Sequence, residues 1–334
     1  MTSSSEKIWS PSEKLSPRIK GLRKEFFSFY QREYFRNEVR PYTTGTKWDA
    51  VFSPHNWGVV PETFIFFAGY ADSLLAGAEK VEIPEGFFSR SLALRRAMFF
   101  DLVIEKYLPV KILDGELIVG SYFNTALSKC FTKEEAKKWQ KSVNEWEKEV
   151  KFLDEVGIGN AGAVPGHIIP YYKKVLELGF KGIYDKVQSE LARENDPPKR
   201  NYLEALSLSC LAPQKLAGRY RKLALELAKE TKEENRRAEL LQIAENCGLV
   251  PWEKPQNFYQ AVQALWFTHM LVMAAESYPG AGLSYGRIDQ YLYPFYSKDL
   301  ANGSLTREWA KEILACFCIK HNYSYDYQGR LGTN

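Results

Sequence analysis

The chain has 334 residues, 45% hydrophobic, 26% charged and 14% aromatic, with a net charge of +4. This is the profile of a folded globular protein rather than a disordered or fibrous one. The slight basic excess has no basic block behind it, which argues against nucleic acid as a partner. The polar start, Met1 to Trp9, has no apolar run behind it, which argues against secretion. A cytoplasmic protein without a membrane span is expected.

In chain order, residues 1–17 are Ser-rich and charged and are expected to form a flexible arm. Residues 18–334 are expected to form one continuous unit, since neither a repeat nor a low-complexity linker divides them. Arg18 to Asn37 and Ser89 to Glu105 have helical composition. Asp114-Gly115 between apolar runs predicts a tight turn, in a hairpin or an extended bend. Thr132 with Glu135 has capping-box spacing and opens a helix running to Val156. Gly157 to Gly166 is a Gly/Ala loop, and Tyr171 resumes helix. Asn201 to Lys229 predicts a long helix with an interruption near Pro213. A second capping-box spacing, Thr231 with Glu234, opens the next helix. Asn257 to Ala275 predicts an amphipathic helix with Phe258, Val262, Leu265 and Trp266 on its apolar face. Leu305 to Lys320 predicts the last helix, with Trp309, Ile313 and Phe317 on one side.

Chemistry-bearing patterns are sparse. The five cysteines are scattered, and Cys316 and Cys318 point about 200° apart on a helix. Buried apolar roles therefore fit them better than a metal site. His55, His167, His269 and His321 form no metal-ligand spacing. There is no phosphate loop and no nucleophile elbow. Two loops could border a pocket: Gly157 to His167, and Gly280 to Arg287 with Asp289 beyond it. By composition alone, tight turns packing against other helices explain them better. His269 fits a core histidine with one hydrogen-bond partner, and Arg287–Asp289 fits a structural ion pair.

A resemblance adds to this reading. Five segments are similar in order and spacing to the pyruvate formate-lyase (PFL) domain of glycyl radical enzymes. The first is Leu94-Arg-Arg-Ala97 with Asp114-Gly-Glu-Leu-Ile-Val-Gly120. The second is Pro165-Gly-His-Ile-Ile-Pro-Tyr171 with Gly179. The third runs from Ala244-Glu-Asn-Cys247 to Gln263-Ala-Leu-Trp-Phe267. The fourth, Ser284-Tyr-Gly-Arg-Ile-Asp-Gln-Tyr-Leu-Tyr-Pro-Phe-Tyr296, is the most specific; Ile319-Lys-His-Asn322 is the last. The resemblance implies a mainly α chain with a few short strands, forming the N-terminal portion of a PFL-type ten-stranded β/α barrel.

In function, it implies radical cleavage of a C–C or C–X bond in a small organic acid or alcohol. A glycyl radical would be installed by a radical S-adenosylmethionine (SAM) activating enzyme. None of the five cysteines lies in the family's Gly-Cys-x-Glu-like context, and none of the 22 glycines in its Arg-Val-x-Gly-Tyr-like one. The thiyl cysteine and radical glycine are therefore expected beyond Asn334, and the chain alone is expected to be inactive and to bind no cofactor. What carries over is pocket lining: His167, Gly280, Ala281, Gly282, Ser284 and Arg287. The plain Gly-Ala-Gly-Leu-Ser loop is more similar to decarboxylase and acyl-lyase branches than to hydroxyproline dehydratases. Expected partners are a small-molecule substrate, the activating enzyme, and a second copy or a missing C-terminal half. The alternative is a non-catalytic helical interaction protein derived from the same family.

Overall fold

The computed structural model describes residues 15–31, 81–108, 110–120, 127–156, 168–275 and 283–322. The helices among them are α1 (Pro17–Gln31), α2 (Leu92–Leu102), α3 (Lys133–Glu155), α4 (Tyr172–Leu191), α5 (Pro197–Glu230), α6 (Glu234–Leu249), α7 (Phe258–Ala275), α8 (Ile288–Ala301) and α9 (Arg307–Asn322). No described residue forms a β-strand, so the expected short strands are not seen among these residues.

α7 is the centre of the fold. Every residue from Phe258 to Leu271 is buried, where a sided helix was expected. Its polar residues are satisfied inside the protein instead of facing water. α4, α5, α6, α8 and α9 pack around it, and the 34-residue α5 also lies against α2, α4 and α6. Pro213 sits buried within α5, and the helix runs through it. The ring removes one intrahelical donor but does not end the helix here, because the flanking turns are held by packing.

The apolar run after Asp114-Gly115 finds no partner strand among the described residues. It is an extended strip whose backbone is bonded by side chains, and Glu116 to Gly120 are all buried. Tyr259 donates its hydroxyl to the Leu117 carbonyl at 2.6 Å. Gln263 accepts from the Val119 amide and donates to the Val119 carbonyl, both at 2.9 Å. Trp266 donates Nε1–H to the Gly120 carbonyl at 3.2 Å. Positions 259, 263 and 266 lie on one face of α7, so that face takes the place a neighbouring strand would hold. At the turn, Arg236 donates to the carbonyls of Leu113 and Glu116, and Arg18 to that of Gly115. Glu116 forms a buried ion pair with Lys320, and its second carboxylate oxygen accepts from the Leu113 amide.

The two capping-box spacings part company. Thr132 and Glu135 form the reciprocal pair: the Thr132 amide donates to Glu135, and the Glu135 amide to Thr132 Oγ1. Glu135 is also held by the buried Arg95, which roots α3 on α2. Thr231 instead turns its hydroxyl back to the Leu227 carbonyl and closes α5. Glu233 caps α6 by accepting from the amides of Asn235 and Arg236.

Gly179 breaks α4 in two, with φ +66° and ψ 172°. A Cβ there would lie 2.2 Å from the Trp252 carbonyl oxygen, so only glycine fits. The break frees the amides of Phe180 and Lys181, which donate to the carbonyls of Pro251 and Trp252.

Candidate functional site

His167, Gly280, Ala281 and Gly282 lie outside the described residues. The residues that follow them are described. The Ser284 amide donates to the Ile168 carbonyl at 3.1 Å, so the chain just after His167 and the chain just after Gly282 are hydrogen-bonded neighbours. Ser284 Oγ accepts from the Gly286 amide at 3.0 Å and tightens the turn. Gly286 has φ +61°, and a Cβ there would press on the Ile169 side chain and the Tyr291 hydroxyl at 3.2 Å.

Beneath this junction lies a buried set of rings. Tyr285 stacks on His269 at 4.1 Å between centroids and on Tyr172 at 5.4 Å. His321 meets the Tyr285 ring edge-on at 5.0 Å. The Tyr172 hydroxyl and His269 Nδ1 are hydrogen-bonded at 2.7 Å. His269 is thus the core histidine with a partner that its position suggested. Tyr172 opens α4 directly after the Ile168 segment, and Tyr285 follows Ser284 directly. The stack therefore ties the segment that leads into α4 and the segment around Ser284 to α7. Sequence reasoning did not single out either tyrosine. The available signal was the alternation of aromatic and imidazole residues at helical spacing, Trp266/His269 on α7 and Phe317/His321 on α9.

The electrostatics are those of neutral rings. Burial, reinforced by the nearby His321, pushes His269 down to about 3. Burial also lowers His321 and raises the phenols of Tyr172 and Tyr285. His321 Nδ1 sits 2.9 Å from the Phe317 carbonyl; a carbonyl only accepts, so Nδ1 carries the proton. The Tyr285 hydroxyl is buried and has no hydrogen-bond partner among the described residues. Neutral rings of this kind hold geometry and exclude water; they carry no charge to a reacting group.

Arg287 is exposed and engaged: its Nε and Nη2 donate to the two oxygens of Asp289 at 2.9 and 2.6 Å. With Gln290, Tyr293 and Pro294 this pair lines an open surface hollow. No cysteine offers a ready thiolate. Burial raises Cys130 and Cys210 to about 11 and Cys316 to about 12, and it also raises Cys247 and Cys318. Cys316 is buried and Cys318 exposed, on opposite sides of α9. Among the described residues no group of histidine, cysteine and carboxylate side chains could hold a metal ion. No described helix is long and apolar enough to cross a membrane.

Comparison with known proteins agrees with this architecture. Isethionate sulfite-lyase of Oleidesulfovibrio alaskensis is 41% identical over 155 residues, 44% of this chain and 18% of that protein. Trans-4-hydroxy-L-proline dehydratase of Clostridioides difficile is 37% identical over 167 residues, 47% of this chain and 20% of that protein. The matched stretch thus spans about a fifth of these curated relatives. Among solved structures, hydroxyproline dehydratase from Clostridioides difficile superposes with a TM-score of 0.61 at 27% identity, covering 76% of this chain and 38% of that one. A glycyl radical enzyme from Archaeoglobus fulgidus superposes with a TM-score of 0.58 at 27% identity, covering 77% and 41%. The family model described as pyruvate formate lyase-like matches residues 144–328, more than half of the chain. Those residues include the Ser284–Ile168 hydrogen bond and the ring stack beneath it, and the chain belongs to the pyruvate formate lyase-like family of glycyl radical enzymes.

Proposed function

We propose that this chain forms one wall of the substrate chamber of a glycyl radical lyase or dehydratase that cleaves a C–C or C–X bond in a small organic acid or alcohol. The observation that carries this reading is the Ser284–Ile168 hydrogen bond, which sets the ends of two candidate lining loops side by side. His167 and the Gly280 to Ser284 loop then border one cavity, with Arg287 at its rim. Exposed apolar side chains of Ile168, Ile169, Tyr171 and Tyr293 flank the same junction, as expected of a face that further protein covers. The chamber would be a ten-stranded β/α barrel completed by residues outside this chain. The thiyl cysteine and radical glycine belong to that remainder, and a radical SAM enzyme generates the radical. Closure matters because a thiyl must meet substrate before water or oxygen.

Anaerobic isolation of the native assembly containing this chain tests the reading. Electron paramagnetic resonance should find a glycyl radical after treatment with an activating enzyme. His167→Ala and Ser284→Ala should lower substrate turnover without lowering radical yield. An assembly with no organic radical, or variants with undiminished turnover, would overturn it. The second reading, a non-catalytic interaction protein, draws on the exposed Trp139, Trp146 and Phe152 of α3.

A further inference from the structure

The buried rings beneath the Ser284–Ile168 bond include three that can lose an electron: Tyr172, Trp266 and Tyr285. They form a continuous path. Tyr285 follows Ser284 directly and stacks on Tyr172 at 5.4 Å and on His269 at 4.1 Å between centroids. Trp266 stacks on the other side of this group, 6.2 Å from His269. An electron can pass from the residue beside Ser284 to α4 and α7 through ring contacts alone.

Which ring keeps the resulting hole is decided by protons. Oxidation turns a phenol O–H or an indole N–H into a strong acid, so the oxidised form persists where a base takes that proton. Trp266 donates its N–H to the Gly120 carbonyl at 3.2 Å, a very weak base. The Tyr285 hydroxyl is buried and has no partner among the described residues. The Tyr172 hydroxyl lies 2.7 Å from Nδ1 of His269, its sole partner among them. If the imidazole were the donor, the phenol proton would be left buried and unsatisfied, so the phenol donates. Burial holds His269 neutral, and the Nδ1 lone pair is open to a proton.

We propose that Tyr172, paired with His269, is a reversible one-electron redox site that parks an oxidising equivalent arising in the chamber. The oxidant is a thiyl radical that forms with no substrate in place. It takes one electron from Tyr172 through the Tyr285 ring and becomes a thiolate. The Tyr172 O–H bond breaks and its proton passes to Nδ1, which leaves a neutral tyrosyl radical beside an imidazolium. The reverse transfer restores the phenol, the neutral imidazole and the thiyl, so no further reductant is consumed. The thiyl as oxidant rests on the function proposed above; the redox pair does not.

Flash photolysis of the whole chain tests the pair, with ruthenium tris-bipyridine as sensitiser and a cobalt ammine as sacrificial electron acceptor. Samples are frozen after the flash and read by high-field electron paramagnetic resonance, whose g-tensor separates a tyrosyl radical held by a cationic donor from an exposed one. The wild type should show the hydrogen-bonded tyrosyl. Tyr172→Phe and His269→Gln should lose it, while Tyr285→Phe should keep it; circular dichroism checks that each is folded. The wild type grown on isotope-labelled histidine needs no substitution, and its radical should show hyperfine coupling to an imidazole nitrogen and its exchangeable proton. A wild type with exposed tyrosyl radicals alone overturns the proposal. So does a radical uncoupled from histidine, or a signal lost with Tyr285→Phe but kept in Tyr172→Phe. Photolysis needs no glycyl radical, so these outcomes are separate from the fate of the function proposed above.

Discussion

The Tyr172 hydroxyl lies 2.7 Å from Nδ1 of His269, and this bond joins the loop leading into α4 to the central helix α7. Tyr172→Phe would leave a buried imidazole nitrogen without its partner. A loss of about 1–3 kcal/mol is expected, measured by urea unfolding. Phenylalanine keeps the ring that stacks on Tyr285, so the amides of residues 284–286 should hold their protection against exchange.

The same histidine gives stability a pH dependence. Its folded value of about 3 lies below the ordinary 6.5, so the unfolded chain binds the proton more readily. The contribution is complete above about pH 6.5 and is lost as pH falls toward 3, by up to about 1.4 kcal/mol per pH unit. His321, also lowered by burial, acts in the same direction. Urea midpoints should fall below pH 6.5, and His269→Gln should flatten that slope.

Glu116 and Lys320 pair in the interior, with side chains only 3% and 5% exposed. Lys320→Met strands a buried carboxylate and should cost about 3–5 kcal/mol. The double variant Glu116→Gln with Lys320→Met should recover much of that loss, because no unpaired charge remains.

Gln263 satisfies both backbone groups of Val119. Gln263→Leu keeps the volume but orphans two buried polar groups, each worth about 1–3 kcal/mol. Thermal unfolding should show the loss, and the Val119 amide should lose its protection against exchange. A variant as stable as wild type would mean that the strip repacks freely.

How much of this was legible in the sequence depended on the range of the interaction. The Thr132–Glu135 cap is local and could be read directly. Thr231 had the same spacing, but the open end of α5 competed for its hydroxyl, and the adjacent Glu233 could take over the cap. The burial of α7 on every side was hidden because Gln260 and Gln263 look like a solvent face until their partners are known. Those partners are distant in the chain: Gln263 bonds a strip 144 residues away. The strip itself read as strand-like because its apolar run is real, whereas its hydrogen-bond partners are side chains that no local pattern announces. At the site, the motif residues Ser284 and Arg287 were named from resemblance, while Tyr172 and Tyr285 emerged only from packing.

If the proposed chamber exists, positions 167 and 284, distant in sequence, lie within reach of one short crosslinker. Cysteines would replace His167 and Ser284 in a chain whose exposed Cys318 is changed to serine, followed by a short bifunctional thiol reagent and mass analysis. An intramolecular crosslink between positions 167 and 284 is the predicted result, slowed when a small carboxylate occupies the cavity. Two separately capped cysteines, with no bridge at any reagent concentration, would contradict the account.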